Sequence, residues 1–161
     1  MAIRSAVKTI VIKDGCILLI KYISEKGFVH YGLPGGGQEQ FENMEETAKR
    51  EFLEETGYQI KLKRFAAIAE EIFEDKELRK EYPNYVHRIH HIFQGELIEE
   101  DNVIGTCGNI DTNQVGCEWI PIEKVSKIYL IPRQVKENLI IILNSSYPIY
   151  LGTTYEKANF K

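Results

Sequence analysis

The chain has 161 residues, 43% of them hydrophobic and 27% charged, and a formal net charge of −4. That length suits one domain over residues 1–161, large enough to bury about two-thirds of the surface its unfolded chain exposes. The acidic balance disfavours a sequence-independent nucleic-acid binder, which needs a basic face, but leaves small anionic ligands open, because a bound cation reverses the local sign.

Cys16, Cys107 and Cys117 form no CxxC pair, so reduced thiols of a cytosolic protein are expected. The N-terminal apolar stretch is interrupted by Lys8 and stops at Lys13, which is not a signal-peptide pattern. The apolar run at 139–143 is far too short to span a bilayer. The expectation is a soluble, cytoplasmic protein with no membrane partner.

In chain order, residues 5–12 (SAVKTIVI) are β-branched and predict a strand, Asp14-Gly15 a hairpin turn, and 16–23 (CILLIKYI) the returning strand. Residues 24–29 read as a polar loop and 30–33 as a short extended segment, with Leu33 kept extended by Pro34. Gly35, Gly36 and Gly37 then allow backbone geometry that a Cβ resists. Asn43 and Glu46 make a capping-box signature and Gly57 a stop, predicting a helix over 44–56. Residues 59–71 read as a strand, 70–85 as charged and partly loop, and 85–97 as a central strand offering Val86, Ile89, Ile92 and Phe93 to the core. A loop is expected over 99–116 and a short strand over 118–120, closed by Pro121. A helix is expected over 132–143, with Pro132 in its first turn. The Tyr-rich tail, 145–161, predicts no clear element. Strands with two separated helices and no regular βα alternation indicate an α+β sandwich.

The first helix has an unusual charge pattern. Wound at about 100° per residue, Met44, Ala48 and Phe52 form an apolar stripe, yet Glu51 and Glu55 border that stripe instead of opposing it. Glu54 lies about 60° beyond Glu51, with Arg50 further round. Carboxylates spaced i, i+3 and i+4 meet on a helix surface. When partly desolvated, one of them takes up a proton, unless a divalent cation removes the conflict; hard oxygen donors suit Mg²⁺ or Mn²⁺. The competing reading is a chance cluster on a solvated helix. The glycine run just upstream argues against it.

Gly36, Glu42, Arg50, Glu51, Phe52, Glu54, Glu55, Gly57 and Tyr58 fit, at every spacing, the Nudix box, G-x5-E-x7-R-E-U-x-E-E-x-G-U with U a bulky aliphatic residue. Phe52 and Tyr58 are loose fits at U. The chain therefore resembles the Nudix hydrolase family over residues 36–58, and the preceding Leu33-Pro34-Gly35-Gly36 is also usual there. The resemblance implies an α/β/α sandwich with a mixed central sheet, and Mg²⁺-dependent hydrolysis of a nucleoside diphosphate linked to another group, with Mn²⁺ as a substitute metal. It implies Gly35 (through its carbonyl), Glu51, Glu54 and Glu55 as metal ligands, and Arg50 and Glu42 as a supporting pair. The general base varies in that family between the box and a later loop, and Glu54 is the residue expected here.

Outside the box, Glu118 is expected near the metal or substrate, with Asp111 and Asn113 in the same loop as weaker candidates. Alternation divides His87, Ile89 and His91 from Arg88 and His90, so Arg88 is the best candidate for a phosphate or base contact. Tyr22, Tyr31 and Phe28 are candidates for stacking on a nucleobase, against core packing as the default. The family marker for ADP-ribose, a Pro about fifteen residues past the box, is replaced by Phe73 and Glu74. The Tyr that marks diadenosine polyphosphate hydrolases is absent until Tyr82. Signatures of coenzyme A and NADH pyrophosphatases are also missing. By elimination a nucleoside triphosphate or nucleotide sugar is favoured, with ADP-ribose, a dinucleotide or a non-catalytic sensor role as alternatives. The expected partner is a small nucleotide and no nucleic-acid polymer; a homodimer is left open.

Overall fold

The structure, a computed structural model, describes residues 3–98 and 113–157. Strands β1 (Arg4–Lys13) and β2 (Cys16–Ile23) form the predicted hairpin. Asp14 and Gly15 both have positive φ, 50° and 72°, as a two-residue turn of this kind requires. The remaining elements are β3 (Val29–Gly32), α1 (Met44–Thr56), β4 (Ile60–Phe73), α2 (Lys76–Glu81), β5 (His87–Leu97), β6 (Gln114–Pro121), a 3₁₀ helix (Ile122–Lys127), β7 (Leu130–Ile131), α3 (Arg133–Asn144) and β8 (Ile149–Glu156).

The sheet runs β7-β3-β2-β1-β5-β4-β8, with β6 paired to β2 off that path. It is mixed: β1–β5, β4–β8 and β3–β7 are parallel, the other pairs antiparallel. One core lies on the α3 side, where Ile10, Leu19, Ile92, Val135, Leu139 and Ile142 pack together. A second lies on the α1 side, where Phe52 packs with Val11, Leu18 and Ile60. Ile10 and Val11 are consecutive residues of β1 and enter opposite cores, so the sheet is covered by a helix on each face. This is the α+β sandwich with a mixed sheet that the sequence predicts.

One irregularity positions the site. β1 and β2 pair only next to their turn, at Ile12–Ile17 and Lys13–Cys16, and then diverge. The backbone of 34–38 fills the gap: Val7 N–H donates to the Gly36 carbonyl, Thr9 N–H to the Pro34 carbonyl and Gln38 N–H to the Ser5 carbonyl. The glycine run is thereby stitched to β1 and lies at the entrance to α1.

Three expectations change. The charged segment after β4 contains a short helix, α2, capped by Asp75, whose carboxylate accepts from the Glu77 and Leu78 N–H groups. The short strand at 118–120 is the end of a longer one, Gln114–Pro121, held along β2. The tail contains β8, parallel to β4. Among the described residues no helix is long and apolar enough to cross a membrane.

Phe52 is fully buried and joins α1 to the sheet. Its truncation, Phe52→Ala, is expected to cost about 3–5 kcal/mol, read as a lower urea midpoint with an unchanged slope.

Candidate active site

Helix α1 forms as predicted. Asn43 caps it by accepting from the Glu46 N–H, and the Asn43 N–H returns a bond to the Glu46 carboxylate. Gly57, at φ 73°, closes the other end. The helix buries Thr47, Ala48, Phe52, Glu55 and Thr56, so a carboxylate does enter its covered face.

Glu55 is only 7% exposed. Its Oε2 accepts from the Gly35 N–H at 2.7 Å, and the Gly35 carbonyl in turn accepts from Lys8 Nζ. Lys8 is half-buried, and desolvation pushes its pKa below the ordinary lysine value, against the attraction of Glu55 and Glu51. Gly35 has φ 131°, and a Cβ there would run into the Val7 carbonyl oxygen. A Cβ on Gly36 would instead meet the carboxylate of Glu51. The two glycines are therefore required for different reasons, one by the backbone and the other by an acid that lies across it.

Arg50 organises the remaining acids. Its Nε and Nη2 donate to the two oxygens of Glu42 at 2.7 and 2.9 Å, and its Nη1 donates to Glu51 at 2.8 Å and to Glu54 at 3.2 Å. The bidentate bond from Arg50, with help from the Thr47 hydroxyl, holds the Glu42 carboxyl down to about 2.

Glu51, Glu55, Gly35 and Gly36 line a cleft of about 390 Å³ that also takes in Arg4, Lys8, Arg88 and His90. Arg4 pairs with Arg88 in the parallel β1–β5 register and Ala6 with His90, so these side chains share one face. Lys8 has the parity of Ile10, which packs on the α3 side. Acids from the helix on one face thus meet cations from the other through the gap between β1 and β2. Behind the cations, Glu71 is 2% exposed and pairs with His90 at 3.4 Å and Arg88 at 3.7 Å. Burial alone would raise the Glu71 carboxyl. The His90 hydrogen bond and the charges of Arg88, His90 and Lys8 outweigh it and leave it below the ordinary range. Burial in turn lowers the His90 pKa, against the hydrogen bond and charge of Glu71.

Of the residues predicted from sequence, Gly35, Glu51, Glu55 and Arg88 line the cleft. Arg50, Glu42 and Glu54 do not line it but are bonded to Glu51 or to one another through Arg50. Glu118 stands apart, held by Lys21 at 2.6 Å and the Tyr31 hydroxyl at 3.0 Å, with Tyr31 reaching the cleft. Asp111 lies outside the described residues. Arg4, Lys8 and Tyr85 were not anticipated; the one local signal was Lys8, a charge in the middle of an otherwise apolar strand.

The donor chemistry fits a hard divalent cation, since three carboxylates and one carbonyl supply only oxygen. Among the described residues no three acids, His or Cys converge as a ready-made metal site. Arg50 holds Glu51 and Glu54, and the Gly35 N–H holds Glu55.

Gly36→Ala is expected to leave the thermal midpoint nearly unchanged, because only the end of the Glu51 side chain has to yield, yet weaken Mn²⁺ binding at least about tenfold by titration. Gly35→Ala should destabilise the fold by about 2 kcal/mol or more, because there the obstacle is backbone. The Glu42 carboxyl is depressed from an ordinary 4.5 to about 2, so its pairing contributes fully to stability above the unfolded value and is lost as pH falls through about 2. A pH series of melting temperatures should therefore show a shallower acid limb in Glu42→Gln.

A profile of the NUDIX domain matches residues 2–139. No curated protein matches the chain significantly in sequence. Among solved structures, a NUDIX hydrolase from Nitrosomonas europaea superposes with a TM-score of 0.67 at 19% identity, covering 88% of each chain. A mutator MutT protein from Bacillus halodurans gives 0.64 at 22% identity, over 99% of this chain and 94% of that one. An ADP-ribose pyrophosphatase from Streptococcus suis gives 0.62 at 15% identity, over 92% and 99%. At those identities the superpositions speak for the fold, and the profile match, together with the complete box, assigns the lineage: the chain belongs to the NUDIX family of hydrolases.

Proposed function

We propose that this Nudix hydrolase cleaves the diphosphate linkage of a nucleoside diphosphate joined to another group, with Mg²⁺, or Mn²⁺ in its place, held by the Gly35 carbonyl, Glu51, Glu54 and Glu55. The observation that carries this reading is the facing of two acids and three cations across one cleft. A diphosphate entering between them meets Arg4, Lys8 and Arg88, whose positive charge suits its oxygens. Acids on the opposite wall would repel it unless they hold metal. When bound, a divalent ion neutralises phosphate charge and lowers the pKa of a water molecule.

The chain's own residues have separable duties. Arg50 orients Glu51 and Glu54, and Glu42 anchors Arg50. Glu54 is the proposed general base: its side chain is 43% accessible against 17% for Glu51, so it is the acid best placed to exchange a proton with solvent. Water adds to one phosphorus, the bridging P–O bond breaks, and Glu54 takes the proton that water loses. Lys8, desolvated between acids and guanidiniums, stabilises charge growing on the departing phosphate.

A nucleoside triphosphate or nucleotide sugar remains the favoured substrate, acting in the cytoplasm. Chromatography of products from a nucleotide panel with Mg²⁺ and Mn²⁺ tests the reading: release of a nucleoside monophosphate is expected, whereas nucleotide binding with no turnover across the panel would defeat it. Glu54→Gln and Glu55→Gln should each lower kcat at least about a hundredfold with unchanged far-ultraviolet circular dichroism.

A further inference from the structure

The turn that leads into α1 carries a feature that hydrolysis does not use. Residues 39–42 close a four-residue turn, with the Glu42 N–H donating to the Glu39 carbonyl at 3.2 Å. Its third residue, Phe41, has φ 72°, a backbone region that glycine enters freely and a bulky side chain resists. Phe41 is also 97% exposed, so its ring recovers none of that cost by packing on its own chain. The turn is nevertheless held firmly: Arg50 grips the Glu42 carboxylate, which also accepts from the Glu39 N–H. An aromatic ring is thus presented to solvent on a fixed backbone.

A groove suited to such a ring lies toward the other end of the same helix. It measures about 410 Å³, and its lining includes the buried Ile60 and the exposed side chains of Leu53 and Ile98. Among the described residues Lys49, Arg50 and Lys61 also line it, and no acid does. Residues 38–48, on either side of Phe41, hold four acids and no cation. The ring and the groove are therefore complementary in charge as well as in apolar character. The chain's own Phe41 cannot fill the groove, because Met44 and Leu53 are about 14 Å apart along the helix axis.

We infer that a second copy of the chain supplies the ring: two α1 helices pack antiparallel about a two-fold axis, and Phe41 of each copy seats in the groove beside Leu53 of the other. Phe41, Glu45, Lys49 and Leu53 are spaced by four, and all four are exposed, so the three on α1 form one solvent-facing stripe. A pairing that sets Phe41 beside Leu53 has its midpoint at residue 47. The same midpoint sets Glu45 of one copy beside Lys49 of the other, and both side chains are more than half accessible, 66% and 53%. Each contact then occurs twice, as a two-fold interface requires. An unrelated partner would have to bring both an acid-flanked apolar knob and a basic groove, whereas a second copy brings both at once. Glu51 and Glu55 each lie about 160° round the helix from Leu53, so the pairing leaves the cleft uncovered. The association does not depend on the hydrolase reading.

Sedimentation equilibrium of the full chain over a concentration series tests this. A reversible monomer–dimer equilibrium is expected, and Phe41→Gly should raise its Kd about tenfold or more. Glycine suits the left-handed position, so in dilute, monomeric solution the same variant should melt no lower than the parent. Weaker association then cannot be ascribed to misfolding. Leu53→Lys, on the groove side, should raise the Kd by a similar factor. Glu45→Lys should also weaken the dimer, and Lys49→Glu added to it should restore most of what was lost. A chain that stays monomeric at about 1 mM overturns the proposal and leaves the groove to another occupant. A dimer whose Kd is unchanged by Phe41→Gly or by Leu53→Lys overturns it as well, as does a charge reversal without rescue.

Discussion

A carboxylate withdrawn from water must be compensated where it lies, and Glu55 is the residue on which that requirement falls hardest in this fold. The compensation is a short relay: the Gly35 N–H donates to Glu55 while the Gly35 carbonyl accepts from Lys8. One peptide segment thus couples an anion on the helix to a cation on the strand. The relay exists only because β1 and β2 part after their turn and the glycine backbone takes β2's place beside β1. A continuous hairpin would have sealed the sheet between the two charge sets.

Arg50 solves the complementary problem. Glu51 and Glu54 sit close on one side of α1, where like charges repel. A guanidinium bonded to both, and anchored bidentately by Glu42, offsets that repulsion and fixes their directions. Replacing Arg50 by lysine would leave a point charge but remove the fork that spans three carboxylates. The charge is conserved in such a change; the geometry is not. The net charge of −4 consequently says little about the site, where three cations and two acids share one wall-to-wall space.

Glu51, Glu54 and Glu55 were legible in sequence because they sit on one helix, where the spacing of residues fixes their relative directions. Asn43 and Gly57 marked that helix's ends for the same local reason. Arg4 and Lys8 were not legible, because their value comes from a parallel register between β1 and β5, which places Arg4 beside Arg88 across more than half the chain. Period-two reasoning separated Arg88 and His90 from His87 correctly, and the structure gives the other face to a His87–Glu70 bond. Glu118 drew attention by its position after a loop, yet its diagonal neighbour across the β2–β6 pair is Lys21, and that ladder contact holds it. Strand β8 escaped notice because an edge strand broken by Gly152 has weak local preference and is ordered by β4. Helix α2, six residues long, has too few turns for periodicity to show.

The division between what is legible and what is not follows the division of labour in the site. In the proposed reaction, chemistry common to diphosphates falls to groups held on α1 and to the glycine backbone stitched to β1. A chamber beside the cleft is lined by residues gathered from β2, β3, the end of β4, α2 and the start of β5, among them Tyr22, His30, Phe73, Tyr82 and Arg88. Tyr82 caps a helix that buries none of its own residues, so that wall can be rebuilt without disturbing either core. The acidic wall has no such freedom: Glu55 cannot move without stranding Gly35 and Lys8. Substitutions on α2 and the rings around it are therefore absorbed more easily than changes at the acids.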